Sequence, residues 1–242
     1  MKLSSIVAWL DETLNVKAFD DVSNNGLQLV CRDQEVKRVA FAVDASVRAV
    51  KAAAEAGARM LVVHHGISWG GGIRWLDGGV YEVVRAALEA DLALYACHLP
   101  LDAHPVLGNN ARLARLLKLR RVKKEFSYHG NVIGLVGTAS RTNLLRFLGS
   151  QHFSDLPNLP NLLVGICSGG AGEFAEEAKN LGCDLFITGE ANWGDRIAAE
   201  NLSMPMVCLG HYATEVWGVR AVSEAMPKAL RVQTVDLTER LA

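Results

Sequence analysis

The stretch VKRVAFAVDASVRAVKAAAEAGARMLVVHH, residues 36–65, reads as strand, helix, strand. Its two outer segments, VKRVAFAVD and RMLVVHH, are nearly continuous apolar runs, the pattern of strands covered on both faces in a parallel sheet. Between them SVRAVKAAAEAG forms a helix that closes on Gly57. The same alternation extends outward. VYEVVRAALEA predicts a helix and LALYACHLPLD a further strand. After ARLARLLKL the pattern restarts with strand HGNVIGLVGTA, helix NLLRFLGS, strand NLLVGICSGG and helix EFAEEAKNLG. Strand DLFITGE, a helix from about Trp193, strand MPMVCLG, helix EVWGVRAVSEAM and strand RVQTVDL complete it. The fold class expected is α/β: two strand-helix lobes, residues 1–125 and 126–242, with largely parallel, helix-covered sheets. No low-complexity linker separates them, so the lobes should pack as one compact unit.

Composition excludes several classes of function. Half of the 242 residues are apolar and 21% are charged, as in a globular protein with a sizeable core. Lys plus Arg is 25 against 26 for Asp plus Glu, so no net field invites nucleic acid or an anionic membrane. The densest basic run, Lys118–Lys124, lacks interleaved aromatic residues for base stacking and reads as a solvated face. No apolar run is long enough to span a bilayer. MKLSSIVAWLDETL, with Asp11 and Glu12 and no small-residue cleavage site, reads as an amphipathic first helix rather than a signal peptide. The five cysteines include no C-x-x-C pair, and Cys97, Cys167 and Cys208 lie in apolar runs. That usage fits reduced thiols in a cytoplasmic protein.

Ligands of α/β sheets gather beyond the carboxyl ends of the strands. At those ends lie His64 and His65, then His98 and Asp102, then Glu190, then His211 with Glu215. Successive strand residues point to opposite faces. His64 and His65 therefore meet at one ion only if the strand bends, which a positive φ at Gly66 would permit. Otherwise each serves one ion of a close pair, or the two are a buried structural histidine beside an exposed one. His211 and Glu215 are four apart at a helix start, so imidazole and carboxylate share a face. Asp102 is expected in a loop stiffened by Pro100 and Pro105, where it holds a metal or caps a helix from about Val106. Mixed nitrogen and oxygen donors suit Zn, Mn, Fe or Ni. Five protein ligands exceed the usual three of one catalytic zinc and fit two ions, one for each histidine of the pair. Gly170-x-Gly172-x-x-Ala175 superficially matches a dinucleotide fingerprint, although more simply it is a tight turn. His104, His129 and His152 are assigned to surface or loop positions.

Taken in order, SNNGLQL, FAVDAS, LVVHHG, YACHLPLD, GNNARLA, CSGGAGE, FITGEANW and GHYATE resemble the blocks of a known family. It is that of the YbgI-type, or Nif-three-like, dinuclear-metal-centre proteins, often labelled GTP cyclohydrolase 1 type 2 homologues. The resemblance runs from about Ser23 to Arg220. It implies two interlaced α/β lobes with a metal site between them, and a toroidal homohexamer built as a trimer of dimers. It implies two divalent metal ions per chain held by His64, His65, Asp102, His211 and Glu215, with His98 orienting a ligand or a water. The chain has no room for the extra domain that some members carry. The activity implied is hydrolysis of GTP, in which metal hydroxide attacks guanine C8 and formate is released. Glu215 or His98 would shuttle protons in it. The alternatives are a dinuclear hydrolase of another substrate, or a non-catalytic metal-handling or scaffold ring.

Overall fold

The computed structural model describes residues 1–32, 35–149 and 156–242. It resolves into two compact units, Met1–Leu101 with Gly218–Ala242, and Asp102–Trp217. In the first, α1 (Leu3–Thr13) precedes β1 (Gly26–Leu29), β2 (Arg38–Asp44), α2 (Val47–Glu55), β3 (Met60–His65), α3 (Gly78–Glu89) and β4 (Ala93–Ala96). The unit boundary falls within the short α4 (Leu99–Ala103). The second unit holds α5 (Asn109–Leu116), β5 (Arg120–Tyr128), β6 (Asn131–Ser140), α6 (Arg141–Leu148), β7 (Asn161–Cys167), α7 (Ala175–Asn180), β8 (Leu185–Thr188), α8 (Trp193–Asn201) and β9 (Met206–Cys208). Along α9 (His211–Ala229) the chain returns to the first unit, which β10 (Gln233–Asp236) and α10 (Thr238–Leu241) complete.

The first sheet has strand order β1-β4-β3-β2-β10. Its pairings are parallel except for β1 with β4. β2 and β3 are the predicted apolar runs, and from Val39 to Val43 and Met60 to His64 every residue is buried. Each such Val, Leu or Phe contributes roughly 1.5–3 kcal/mol by leaving water. Between the two strands α2 starts at Ser46, whose Oγ accepts the Ala49 N–H at 3.1 Å. Its buried stripe, Ala49, Val50, Ala52 and Ala53, is small enough to lie close to the sheet.

The second sheet, ordered β5-β6-β7-β8-β9, is mixed. β7, β8 and β9 are parallel, whereas β5 and β7 flank β6 antiparallel. Arg120–Lys124 are exposed on the edge strand β5, in keeping with a solvated basic face. A row of cations along a sheet edge also opposes pairing with another chain. Under this sheet Phe126 packs against Phe174 and Phe186, with ring centroids 5.8 and 5.4 Å away. Among the described residues no helix is long and apolar enough to cross a membrane.

Two expectations require correction. The units are not consecutive halves divided at residue 125. A cut there would sever β5, and β10 completes the parallel edge of β2 in the first sheet. The strand read from LALYACHLPLD ends at Ala96, and Leu99–Ala103 is helical. Pro100 lies in the first turn of that helix, where a missing N–H costs nothing. Strands β1 and β5 were not expected from the apolar pattern, because one is short and half-buried and the other is largely cationic.

A Cβ at Gly134 would lie 2.6 Å from Phe126 Cδ2 and 2.7 Å from the Ile166 carbonyl oxygen. Gly134→Ala should therefore lower unfolding free energy by about 2 kcal/mol through overpacking. Urea melts with an unchanged midpoint would contradict this packing.

A candidate metal centre

The first unit brings three histidines together. His64 and His65 end β3, and His98 follows β4. Their ring centroids are 4.6 Å apart for His64–His65, 5.0 Å for His64–His98 and 5.6 Å for His65–His98. Each ring is tethered through Nδ1. Buried His64 donates to the Cys97 carbonyl at 2.9 Å. His65 donates to Asp44 Oδ1 at 2.8 Å, its register partner on β2. His98 donates to Asp21 Oδ1 at 2.9 Å. An acceptor at Nδ1 selects the tautomer whose Nε2 carries the lone pair, the arrangement that metal-binding histidines use. One ligand atom from each of the three lies within 4.8 Å of the other two.

The convergence of His64 and His65 has a different local cause from the one expected. Gly66 is not among the residues with positive φ. It is required for space: a Cβ there would overlap the Gln28 side chain and come within 2.6 Å of Ala96 Cβ. Gln28 Oε1 in turn accepts the Ile67 N–H at 2.8 Å and fixes the exit of the strand. Trp69 closes one side. Its indole lies edge-on to His98 at 5.2 Å and donates to the Gly66 carbonyl at 3.1 Å.

Asp21, which the strand-end pattern missed, organises the loop behind His98. Besides that ring it accepts the Ser23 N–H, the Asn25 amide and the Leu99 N–H at 2.8–3.0 Å. Burial pushes its carboxyl up, yet the hydrogen bonds from His98 and Asn25 prevail and hold it at about 2. The available signal was an acid two residues before the turn-forming Ser-Asn-Asn-Gly, residues 23–26.

The second unit carries the carboxylates. Asp102 lies on α4, not in a loop, and is buried. Its Oδ1 accepts the Ser168 hydroxyl at 2.8 Å and the Asn109 side-chain amide at 2.9 Å. The cap residue of α5 is Gly108, so Asp102 braces that helix start through a side chain instead of capping it. His211 opens α9, its Nε2 3.2 Å from Glu215 Oε1 and its Nδ1 3.0 Å from Glu190 Oε1. The hydrogen bond to Glu215 raises the His211 imidazole to about 9 against the opposing effect of burial. Asp102 and Glu215 each offer an oxygen within 4.8 Å of the other, and both are nearly fully buried. Two carboxylates this close in low dielectric repel unless a proton or a cation neutralises them. The donor set of each unit, imidazole and carboxylate without thiolate, fits a divalent ion.

The glycine run after β7 belongs to this set. At Gly169, with φ +70°, a Cβ would strike the Glu215 carboxylate, and the Gly169 N–H donates to Thr214 Oγ1 at 3.0 Å. A Cβ on Gly170 would lie 3.6 Å from both Glu190 Oε1 and His211 Cε1. Gly169 makes room for the Glu215 side chain, the contacts at Gly170 are of ordinary van der Waals length, and Gly172 opens a 3-10 turn to Phe174. Of the two fingerprint glycines, Gly172 is the one required for space, since a Cβ there would come within 2.5 Å of Ala191 Cβ. Of the remaining histidines, His104 Nδ1 accepts the Val106 and Leu107 N–H groups, and His129 is exposed in the β5–β6 turn. His152 lies outside the described residues.

The sequence matches the Duf34/NIF3 (NGG1p interacting factor 3) family over residues 1–239. It is 40% identical to a GTP cyclohydrolase 1 type 2 homolog of Pyrococcus horikoshii, with 97% of each chain covered. A protein of the same name from Deinococcus radiodurans is 41% identical over 90% of this chain and 86% of its own. Among solved structures, protein ybgI, described as of unknown function, superposes with TM-score 0.86 at 30% identity over 98% of both chains.

Gly169→Ala should force Glu215 to move and should strain a left-handed backbone position, at a cost of about 1–3 kcal/mol. A thermal midpoint equal to that of the unmodified protein would show that the loop does not press on Glu215.

Proposed function

This chain belongs to the Duf34/NIF3 family, and from that premise we propose that it is a metal-dependent hydrolase holding two divalent ions. The proposed ligands are His64, His65, Asp102, His211 and Glu215. One observation carries the reading: His64, His65, His98 and His211 each have Nδ1 engaged by a carboxylate or a carbonyl. In His64, His65 and His98 that leaves Nε2 as the coordinating nitrogen, the pre-orientation that metal-binding histidines use, whereas His211 also meets Glu215 through Nε2. When bound, the ions would supply Lewis acidity and a water acidic enough to attack near neutral pH. Because the donors are nitrogen and oxygen, Zn, Mn, Fe and Ni are the candidate metals.

The chain's own groups have separable tasks in this scheme. Asp44 and the Cys97 carbonyl orient His65 and His64. Asp21 orients His98, whose Nε2 can then take or give a proton at the substrate. Glu190 orients His211. The substrate proposed is a small molecule, with GTP the first to test because the curated relatives are named GTP cyclohydrolase 1 type 2 homologs. Formate would be the product read out. The assembly proposed is a six-copy ring in the cytoplasm, for which light scattering should return about six times the 26.2 kDa chain mass.

Purified protein reconstituted with Mn or Zn should release formate from GTP, and His65→Ala should abolish the release. His65→Ala and Glu215→Ala should each lose metal, measured by elemental analysis, while remaining folded. Two ions per chain without formate release would leave the ligand set standing and remove GTP as substrate, in favour of another substrate or a metal-handling role. Undiminished metal in both variants would overturn the ligand assignment itself.

A further inference from the structure

A cavity in the second unit shares a single residue, Asp102, with the donor set described above. Its volume is about 320 Å³, and it is lined by residues of α5, β5 and β6 and by the segment Asp102–Pro105. Its walls are apolar, with Ala111, Ala114, Leu119, Ile133 and Leu135 among them. Three cations, Arg115, Lys123 and Lys124, also line it, and all three are exposed. The only carboxylate among the described lining residues is Asp102, already engaged by Ser168 and Asn109. Buried Asn110, whose amide donates to the Ile133 carbonyl at 3.0 Å, braces the wall where α5 meets β6.

Small-molecule sites are concave, mostly apolar and set with a few polar groups that fix orientation, at volumes of about 300–1,000 Å³. Exposed cations need no partner, but three around one apolar hollow favour an anion over any neutral molecule that fits it. A fully polar anion would leave the apolar wall wet, and a neutral hydrocarbon would leave the cations unused. We propose that this cavity is a binding site for a small organic anion with an apolar or planar body and a single phosphate, sulfonate or carboxylate group. The body lies against Ala111, Ala114, Ile133 and Leu135, and the charged group meets Arg115, Lys123 and Lys124. Asp102 lines this cavity and is itself one of the proposed metal ligands. As the substrate pocket of the hydrolase the cavity therefore rests on that reading; as a binding site it does not.

The probe is 8-anilinonaphthalene-1-sulfonate, followed by fluorescence, with metal content measured on the same samples. The wild-type chain should bind the dye at one saturable site, weakened by raising salt, because the cations are at the surface. Val132→Trp, at a lining position 41% exposed and so tolerant of substitution, should obstruct the cavity and weaken binding at least about ten-fold. Lys123→Ala with Lys124→Ala should weaken it about five-fold. Bound dye should be displaced by guanosine monophosphate if the site takes a heteroaromatic phosphate, or by octanoate if it takes an aliphatic carboxylate. Dye binding untouched by both variants, or displaced by neither competitor, would overturn the proposal. A wild-type chain that binds the dye but takes up no metal on reconstitution would instead count against the metal reading alone.

Discussion

The hydrogen bond from an imidazole Nδ1 to an acceptor fixed in the sheet is the constraint on which the site depends. A free histidine at a strand end samples several rotamers and both tautomers. Here parallel pairing sets Asp44 beside His65, and the turn out of β4 sets the Cys97 carbonyl against His64. The tether lowers the entropy to be lost on ligand binding and selects the nitrogen left for it. The apolar centre of the sheet makes this possible. With β2 and β3 buried on both faces, a slip by one residue would exchange the side chains of two packed faces and misfit the core.

The cost of the arrangement is visible in what surrounds it. Asp102 and Glu215 are carboxylates with almost no contact with solvent, and His211 is drawn toward its charged form by Glu215. Close backbone approach is bought by glycine at Gly66 and Gly169, where any side chain would meet Gln28 or Glu215. Such local sacrifices concentrate at functional sites. The two glycines serve different needs: Gly169 requires both its left-handed backbone and its empty flank, Gly66 only the space.

Much of this was legible before any coordinates. The long buried strands announced themselves by unbroken apolar runs, and the helix opened by His211 by the four-residue spacing to Glu215. Two kinds of feature were not legible. Strands β1 and β5 carry little apolar signal, since pairing with β4 and β6 rather than burial defines them. The tethering acceptors are the other kind: Asp21 is 77 residues from His98, and the acceptor for His64 is a backbone carbonyl that no side chain marks. The discontinuous first unit escaped for a related reason, because only pairing with β2 assigns β10 to it.

The central claim is that tethered imidazoles and buried carboxylates, without any thiolate, receive divalent metal. X-ray absorption at the metal edge of reconstituted protein tests it most directly. The account predicts a first shell of nitrogen and oxygen with the outer-shell scattering of coordinated imidazole, diminished in His65→Ala. A sulfur shell at about 2.3 Å, the distance of a zinc thiolate, would contradict it by moving the metal to one of the five cysteines.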